Sequence, residues 1–190
     1  MGTPSRPFLE QGAAARLFDA LRFAADRHRD GRRKGQTAAP YINHPIIVAE
    51  QLAAAGRGED IDLLIAALLH DVVEDTGTSA EELRRRFGDR VTDIVLELTD
   101  DKSLDWRERK RLVVQHVSRL SREAQWIKLS DLSANIADLI HHPPNWADER
   151  KRGYLMWAEA VVNAMSAPEP ALERRFRELL REARSVVGAS

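Results

Sequence analysis

The chain has no cysteine among its 190 residues. Disulfides, thiolate nucleophiles and zinc–thiolate sites are therefore excluded together, which is compatible with a cytoplasmic location. Net charge is nearly absent too, at −1, so nothing suggests a generally basic nucleic-acid binder. No apolar run approaches the ~20 residues of a membrane span. The N-terminal MGTPSRPFLEQ lacks the basic region and apolar run of a signal peptide. Convincing period-2 alternation and hairpin turn signals are also missing, which leaves little room for strands. What remains is 43% hydrophobic and 31% charged, a balance that argues against disorder. The length suits one globular domain with a real core, residues 1–190.

The chain reads as all helix. Leu17, Leu21, Ala24 and Ala25 stripe a first helix ending near Arg29. Pro45 can occupy the first turn of a second, Pro45 to Ala55, broken by Gly56 and Gly58. Asp60 starts the next. Thr78 to Glu81 reads as a capping box for a helix stopped at Gly88. Val91, Ile94, Val95 and Leu98 give another stripe. Helices are expected at about 106–119, 122–141, 146–165 and 171–187. Pro168 and Pro170 mark a hinge before the last helix rather than a second domain.

ALLHDVVEDT, residues 67–76, starts as core and ends in charge. On one continuous helix, His70, Asp71, Glu74 and Asp75 fall within an arc of about 140°. Val72 and Val73 face away. Leu63 to Leu69 is apolar all round and should be buried. Three carboxylates at the end of a buried segment are costly without a counter-charge. Either a metal cation supplies it, or the helix end is simply solvated.

Two further segments bear on that choice. PYINHP places His44 in a turn between Pro40 and Pro45. In WIKLSDLSANIAD, Leu129, Leu132, Ile136 and Leu139 form the apolar face. Asp131 and Asn135 lie four apart on another face, with Lys128 one turn upstream. Aspartate is unfavourable within a long helix, so a tertiary reason is expected. Two imidazoles and two carboxylates would make an N/O site suited to Mn, Fe or Zn, with open positions for water.

His44, the pair His70-Asp71 and the distant Asp131 resemble the H…HD…D signature of HD phosphohydrolases. HRDGRRKGQTAAPYINHP, AALLHDVVEDT, FGDRV, LTDDKS, ERKR, IKLSDLSAN and WADERKRGYLMWAEAVV narrow the likeness to the hydrolase domain of Rel/SpoT proteins, in the stand-alone form of the Mesh-type small alarmone hydrolases. The likeness covers roughly 15–165, with a further helix at about 171–187.

The resemblance implies an all-α, single-domain HD fold and a Mn²⁺-dependent enzyme. Such an enzyme removes the 3′-pyrophosphate of guanosine tetra- and pentaphosphate, leaving GDP or GTP. It also implies that His44, His70, Asp71 and Asp131 hold the metal and that Glu74 and Asp75 are the catalytic pair. Arg33, Lys34, Asn135, Arg150 and Tyr154 would contact the substrate. Those residue types suit the chemistry, since a polyphosphate needs cations and a metal-activated water needs a proton acceptor. Neither nucleic acid nor a membrane is an implied partner, and both monomer and homodimer stay open.

The remaining chemistry-bearing residues have bland readings. The runs Arg84–Arg86 and Arg107–Arg111 read as solvated helix faces. His28 reads as a helix-end residue, and His116, His141 and His142 as surface residues. Trp126, Trp146 and Trp157 read as core. Several positions depart from the family pattern, among them Asp30-Gly31 before the basic run, Ser130 before Asp131, and Trp106 where relatives carry Lys. These bear on substrate choice. Two alternatives follow: an HD phosphohydrolase acting on another phosphorylated nucleotide such as NADPH, and a non-catalytic HD module that binds alarmone.

Overall fold

A computed structural model describes residues 12–35 and 38–188. The N-terminal segment read for a leader, and Gln36-Thr37 of the basic loop, lie outside the described residues. Ten α-helices are present among the described residues: α1 (Ala13–Arg27), α2 (Asn43–Leu52), α3 (Ile61–Leu69), α4 (Val72–Thr76), α5 (Ala80–Phe87), α6 (Asp89–Leu98), α7 (Trp106–His116), α8 (Arg122–His141), α9 (Asp148–Ala164) and α10 (Pro170–Gly188). Among the described residues, β-type pairing is limited to isolated bridges, Arg32 with Pro40 and Gly35 with Pro144. The all-α expectation holds.

α3 forms the axis. Asp60 caps it by accepting a hydrogen bond from Leu63 N at 3.1 Å, and every residue from Leu63 to Leu69 is buried. A helix apolar all round needs neighbours on all sides. α1, α2 and α6 supply them. α8 is the second long element, capped by Ser121 at Ala124 N and packed by α2, α6, α9 and α10. Its Leu129, Leu132, Ile136 and Leu139 are buried as the stripe requires. α10 adds Leu172, Phe176, Leu179, Leu180, Ala183 and Val187 to the same apolar cluster. Burying each such side chain contributes on the order of 1.5–3 kcal/mol, so the last helix is integral to the core.

Three local expectations shift. α2 begins at Asn43, which puts His44 on its first turn, and it runs on through a π-helical turn, Ala53–Arg57. Gly56, at φ 81°, kinks that turn from within, in the left-handed region. Ser79 rather than Thr78 caps α5, accepting from Glu82 N at 3.1 Å. The Thr78 hydroxyl is buried and bonded instead to Thr76 Oγ1 at 2.8 Å. Finally, α3 stops at Leu69 and α4 starts at Val72. Asp71, at φ −100° and ψ −5°, sits in the bridge region between them. The His70-Asp71 pair therefore occupies a break between two helices, not one continuous helix face.

Candidate metal centre and active site

That break gathers the predicted residues. His70 Nδ1 hydrogen-bonds Ala67 O at 2.8 Å, which turns Nε2 towards the centre of the molecule. Nε2 is buried, makes no hydrogen bond, and lies 3.1 Å from Asp71 Oδ2. His44 arrives from the first turn of α2 with its Nε2 3.1 Å from Asp131 Oδ1 and 3.8 Å from Asp71 Oδ2. His44, His70 and Asp131 each offer one ligand atom within 4.8 Å of the others. Asp71 stands directly beside them.

The electrostatics of this cluster ask for a cation. Burial works against charge on Asp71, yet His70, His44 and Tyr41 outweigh it and hold the carboxyl well below its usual range. For Asp131 burial is likewise overcome, by Lys128, His44 and His70. Burial opposes protonation of His70, but Asp71 and Asp131 push its pKa up to about 9. With Nδ1–H given to Ala67, a neutral His70 aims its Nε2 lone pair at carboxylate oxygen. Only a proton or a metal ion makes that contact favourable. The donors, imidazole nitrogen and carboxylate oxygen, suit a divalent transition metal. Three of the four carry a further hydrogen bond, as metal ligands commonly do: His70 with Ala67 O, Asp71 with Tyr41, Asp131 with Asn135.

The cluster forms one wall of a cavity of about 460 Å³. Glu74 and Asp75, on α4, line it next to Asp71. Burial raises the Glu74 pKa, and the Asp100 carboxylate adds to the shift. The loop after α6 reaches over this pair. Asp100 N donates to Glu74 Oε2 at 3.3 Å, Lys102 Nζ bonds Asp75 Oδ1 at 2.6 Å, and Arg109 Nη1 lies 3.9 Å from Glu74 Oε1.

α8 lines the cavity with a polar stripe that starts at the cluster: Lys128, Asp131, Asn135 and Asp138, spaced so that all face the cavity. Asn135 Nδ2 donates to Asp131 Oδ1 at 2.6 Å, and its Oδ1 accepts from Arg33 Nη2 at 2.6 Å. Arg33 also grips Asp138 Oδ2 through Nε at 2.9 Å and Nη2 at 2.7 Å. Lys34 lines the same mouth, exposed. Tyr154, from α9, lines the cavity near Asn135 and Arg33; burial raises its pKa and keeps its hydroxyl protonated.

Ten of the eleven residues read from the sequence thus meet at this site, nine lining the cavity and His70 behind Asp71. Arg150 does not line it; it is exposed, with its guanidinium 4.3 Å from the Trp146 ring centroid. Trp146, expected in the core, lines the cavity, as does His142. Asp30 is exposed and outside the lining. Tyr41 was missed, although it lies three residues before His44 and is one of two tyrosines. Its hydroxyl donates to Asp71 Oδ2 at 2.5 Å. Asp100, Lys102, Arg109 and Asp138 were missed as well, because only the folded chain brings them to the pocket.

The lining holds six carboxylates, Asp71, Glu74, Asp75, Asp100, Asp131 and Asp138, against four cations, Arg32, Arg33, Lys34 and Lys128. Lys102 and Arg109 add positive charge beside Asp75 and Glu74.

Comparison with known proteins agrees. Residues 20–139 match the family model described as HD domain. The chain is 43% identical over 164 residues to the guanosine-3′,5′-bis(diphosphate) 3′-pyrophosphohydrolase MESH1 of Xenopus tropicalis, covering 86% of this chain and 92% of that protein. Against MESH1 of Homo sapiens it is 42% identical over 170 residues, 89% of this chain and 95% of that one. A solved structure of a metazoan orthologue of SpoT, described as hydrolysing ppGpp and playing a role in starvation responses, superposes with a TM-score of 0.83. The two are 39% identical, and the match covers 96% of this chain and 98% of that chain.

Proposed function

The chain belongs to the HD-domain family, among the guanosine-3′,5′-bis(diphosphate) hydrolases, and from that premise we propose that it removes the 3′-pyrophosphate of ppGpp and pppGpp with Mn²⁺ as its metal. The observation that carries this reading is the convergence, in one cavity, of a buried His/Asp cluster, the Glu74-Asp75 pair and the Arg33-Lys34 cations. The whole described chain acts as one hydrolase unit, with α10 part of it.

In this reading His44, His70, Asp71 and Asp131 hold the metal. When bound there, a divalent cation supplies Lewis acidity and makes water a better nucleophile at neutral pH. The remaining work falls to the chain. Arg33 is a fork of donors already aimed across the cavity; it exchanges Asp138 and Asn135 for substrate phosphate, with Lys34 adding charge at the mouth. Tyr154 offers a protonated hydroxyl beside them. Arg150 acts from the rim, on the outer side of Trp146.

Glu74, half-buried in the cavity next to Asp71, takes the proton of the attacking water. Asp75, tied to Lys102, orients that water. Water adds to the phosphorus on the 3′ oxygen, the P–O3′ bond breaks, a proton returns to the 3′ oxygen, and pyrophosphate leaves.

The test is release of pyrophosphate from ppGpp with and without Mn²⁺, for the wild type and for Glu74→Gln/Asp75→Asn, with NADPH as a parallel substrate. Metal-dependent release lost in the double variant is the expected result. Phosphate from NADPH with no release from ppGpp would replace the alarmone reading. Tight ppGpp binding without turnover of either would make the protein a binding module.

A further inference from the structure

Granted the metal reading above, we propose that Tyr41 is a positioning residue for that centre, orienting the Asp71 carboxylate through its phenol O–H. Asp71 immediately precedes α4, where an aspartate usually bonds the first turn of its own helix. Its side chain makes no such bond. Asp71 Oδ2 accepts instead from Tyr41 at 2.5 Å. That same oxygen faces His70 Nε2 at 3.1 Å and His44 Nε2 at 3.8 Å. The phenol therefore fixes the oxygen on which both imidazoles converge.

Tyr41 is itself held from several sides. Its ring stacks on buried His28, with centroids 4.7 Å apart and planes 29° apart, and meets His44 edge-on at 5.9 Å. Its backbone N–H bonds Gly31 O at 3.0 Å. Gly31 packs so closely that a Cβ there would lie 3.0 Å from Tyr41 Cβ. These contacts give His28 a use beyond ending α1: it is the plate on which the Tyr41 ring rests. The Arg33 guanidinium lies 5.7 Å from the other partner of this arrangement, the Tyr41 ring centroid. One side chain thus braces the metal side of the cavity while touching the phosphate side.

The phenol O–H is what acts on the carboxylate; the ring alone braces the loop. Tyr41→Phe separates the two, since it keeps the ring on His28 and removes only the donor. Outer partners of metal ligands commonly set metal affinity within about 10–100-fold. Substrate-free protein titrated with Mn²⁺, following the free-ion electron paramagnetic resonance signal, should show a Kd weakened by about 10–100-fold in Tyr41→Phe. Phe176→Leu, a core truncation on α10 outside the cavity, controls for general destabilisation and should keep the wild-type Kd. A wild-type Mn²⁺ affinity in Tyr41→Phe would overturn the assignment. Equal weakening in Phe176→Leu would also overturn it, by reducing the effect to lost stability. Failure of the wild type to bind Mn²⁺ would instead overturn the metal reading, and the role of Tyr41 with it.

Discussion

Gly35→Ala tests the geometry of the cavity mouth at one methyl group. A Cβ built at Gly35 lies 2.6 Å from the backbone oxygen of His142, inside the 3.0 Å that real Cβ contacts respect, and a tight 3.2 Å from the His142 Cβ. The obstacle is backbone, not a flexible side chain. Gly35 also bridges Pro144, so the methyl forces apart the basic loop and the connection between α8 and α9. Overpacking of this kind costs about 1–3 kcal/mol. For a chain of this size that lowers Tm by roughly 2–4 °C per kcal/mol. The strain has one softer outlet, which is for the loop to swing outward. Arg33 N is bonded to Ala39 O at 2.9 Å and Tyr41 N to Gly31 O at 3.0 Å, so such a swing pulls Arg33 off Asp138 and Asn135. A misplacement of about 1 Å near reacting groups can cost up to ~10²-fold in rate. Thermal denaturation and steady-state pyrophosphate release, measured on the same preparation, read both outlets. Either Tm falls by several degrees or KM rises about tenfold or more. Wild-type Tm together with wild-type KM would refute the close approach of these two segments.

Three further outcomes are expected. Glu74→Gln should lower kcat by about 10²–10⁴-fold while leaving Mn²⁺ affinity near wild type; loss of metal binding would place Glu74 among the ligands. Chelation should abolish turnover, and adding metal at about 100 times its Kd should stabilise the fold by about 2.7 kcal/mol, a rise in Tm of roughly 5–10 °C. No thermal shift would argue against a metal in the His/Asp cluster. Asp60→Ala removes the α3 cap and the Arg90 pair, contacts at 2.6 and 2.7 Å, and should cost about 0.5–2 kcal/mol at pH 7. The Arg90 hydrogen bonds, against opposing burial, hold the Asp60 pKa below 3.8, so the unfolded chain takes up the proton first on acidification. The charge-dependent part of the contribution is present above the unfolded pKa of about 4 and fades as pH falls through the lower folded value. Urea melts at pH 7 and at successive steps below pH 4 check this; a gap between wild type and variant that does not narrow as pH falls would contradict it.

The sequence carried most of the helices because their apolar stripes are long and their caps local. α8 was legible from Arg122 to His141, and α3 from its Asp60 cap and continuous apolar run. The break at His70-Asp71 was not legible, since helix periodicity runs straight through it. At the break the Asp71 side chain turns to Tyr41 rather than to its own helix. The metal residues were recognisable as a motif, whereas Tyr41, Asp100, Lys102, Arg109 and Asp138 stand inside family-like words that do not reveal their partners. Asp138 pairs with Arg33 across 105 positions and Lys102 with Asp75 across 27. Trp146 packs against the core as expected and also lines the cavity, a second role that its place two residues before α9 does not reveal.

The most direct test is product analysis of ppGpp incubated with the wild-type protein and Mn²⁺. The account predicts GDP and pyrophosphate in equal amounts, both abolished by chelation and restored by added metal. Orthophosphate as the first product, or intact ppGpp after incubation with folded, Mn²⁺-loaded protein, would contradict it.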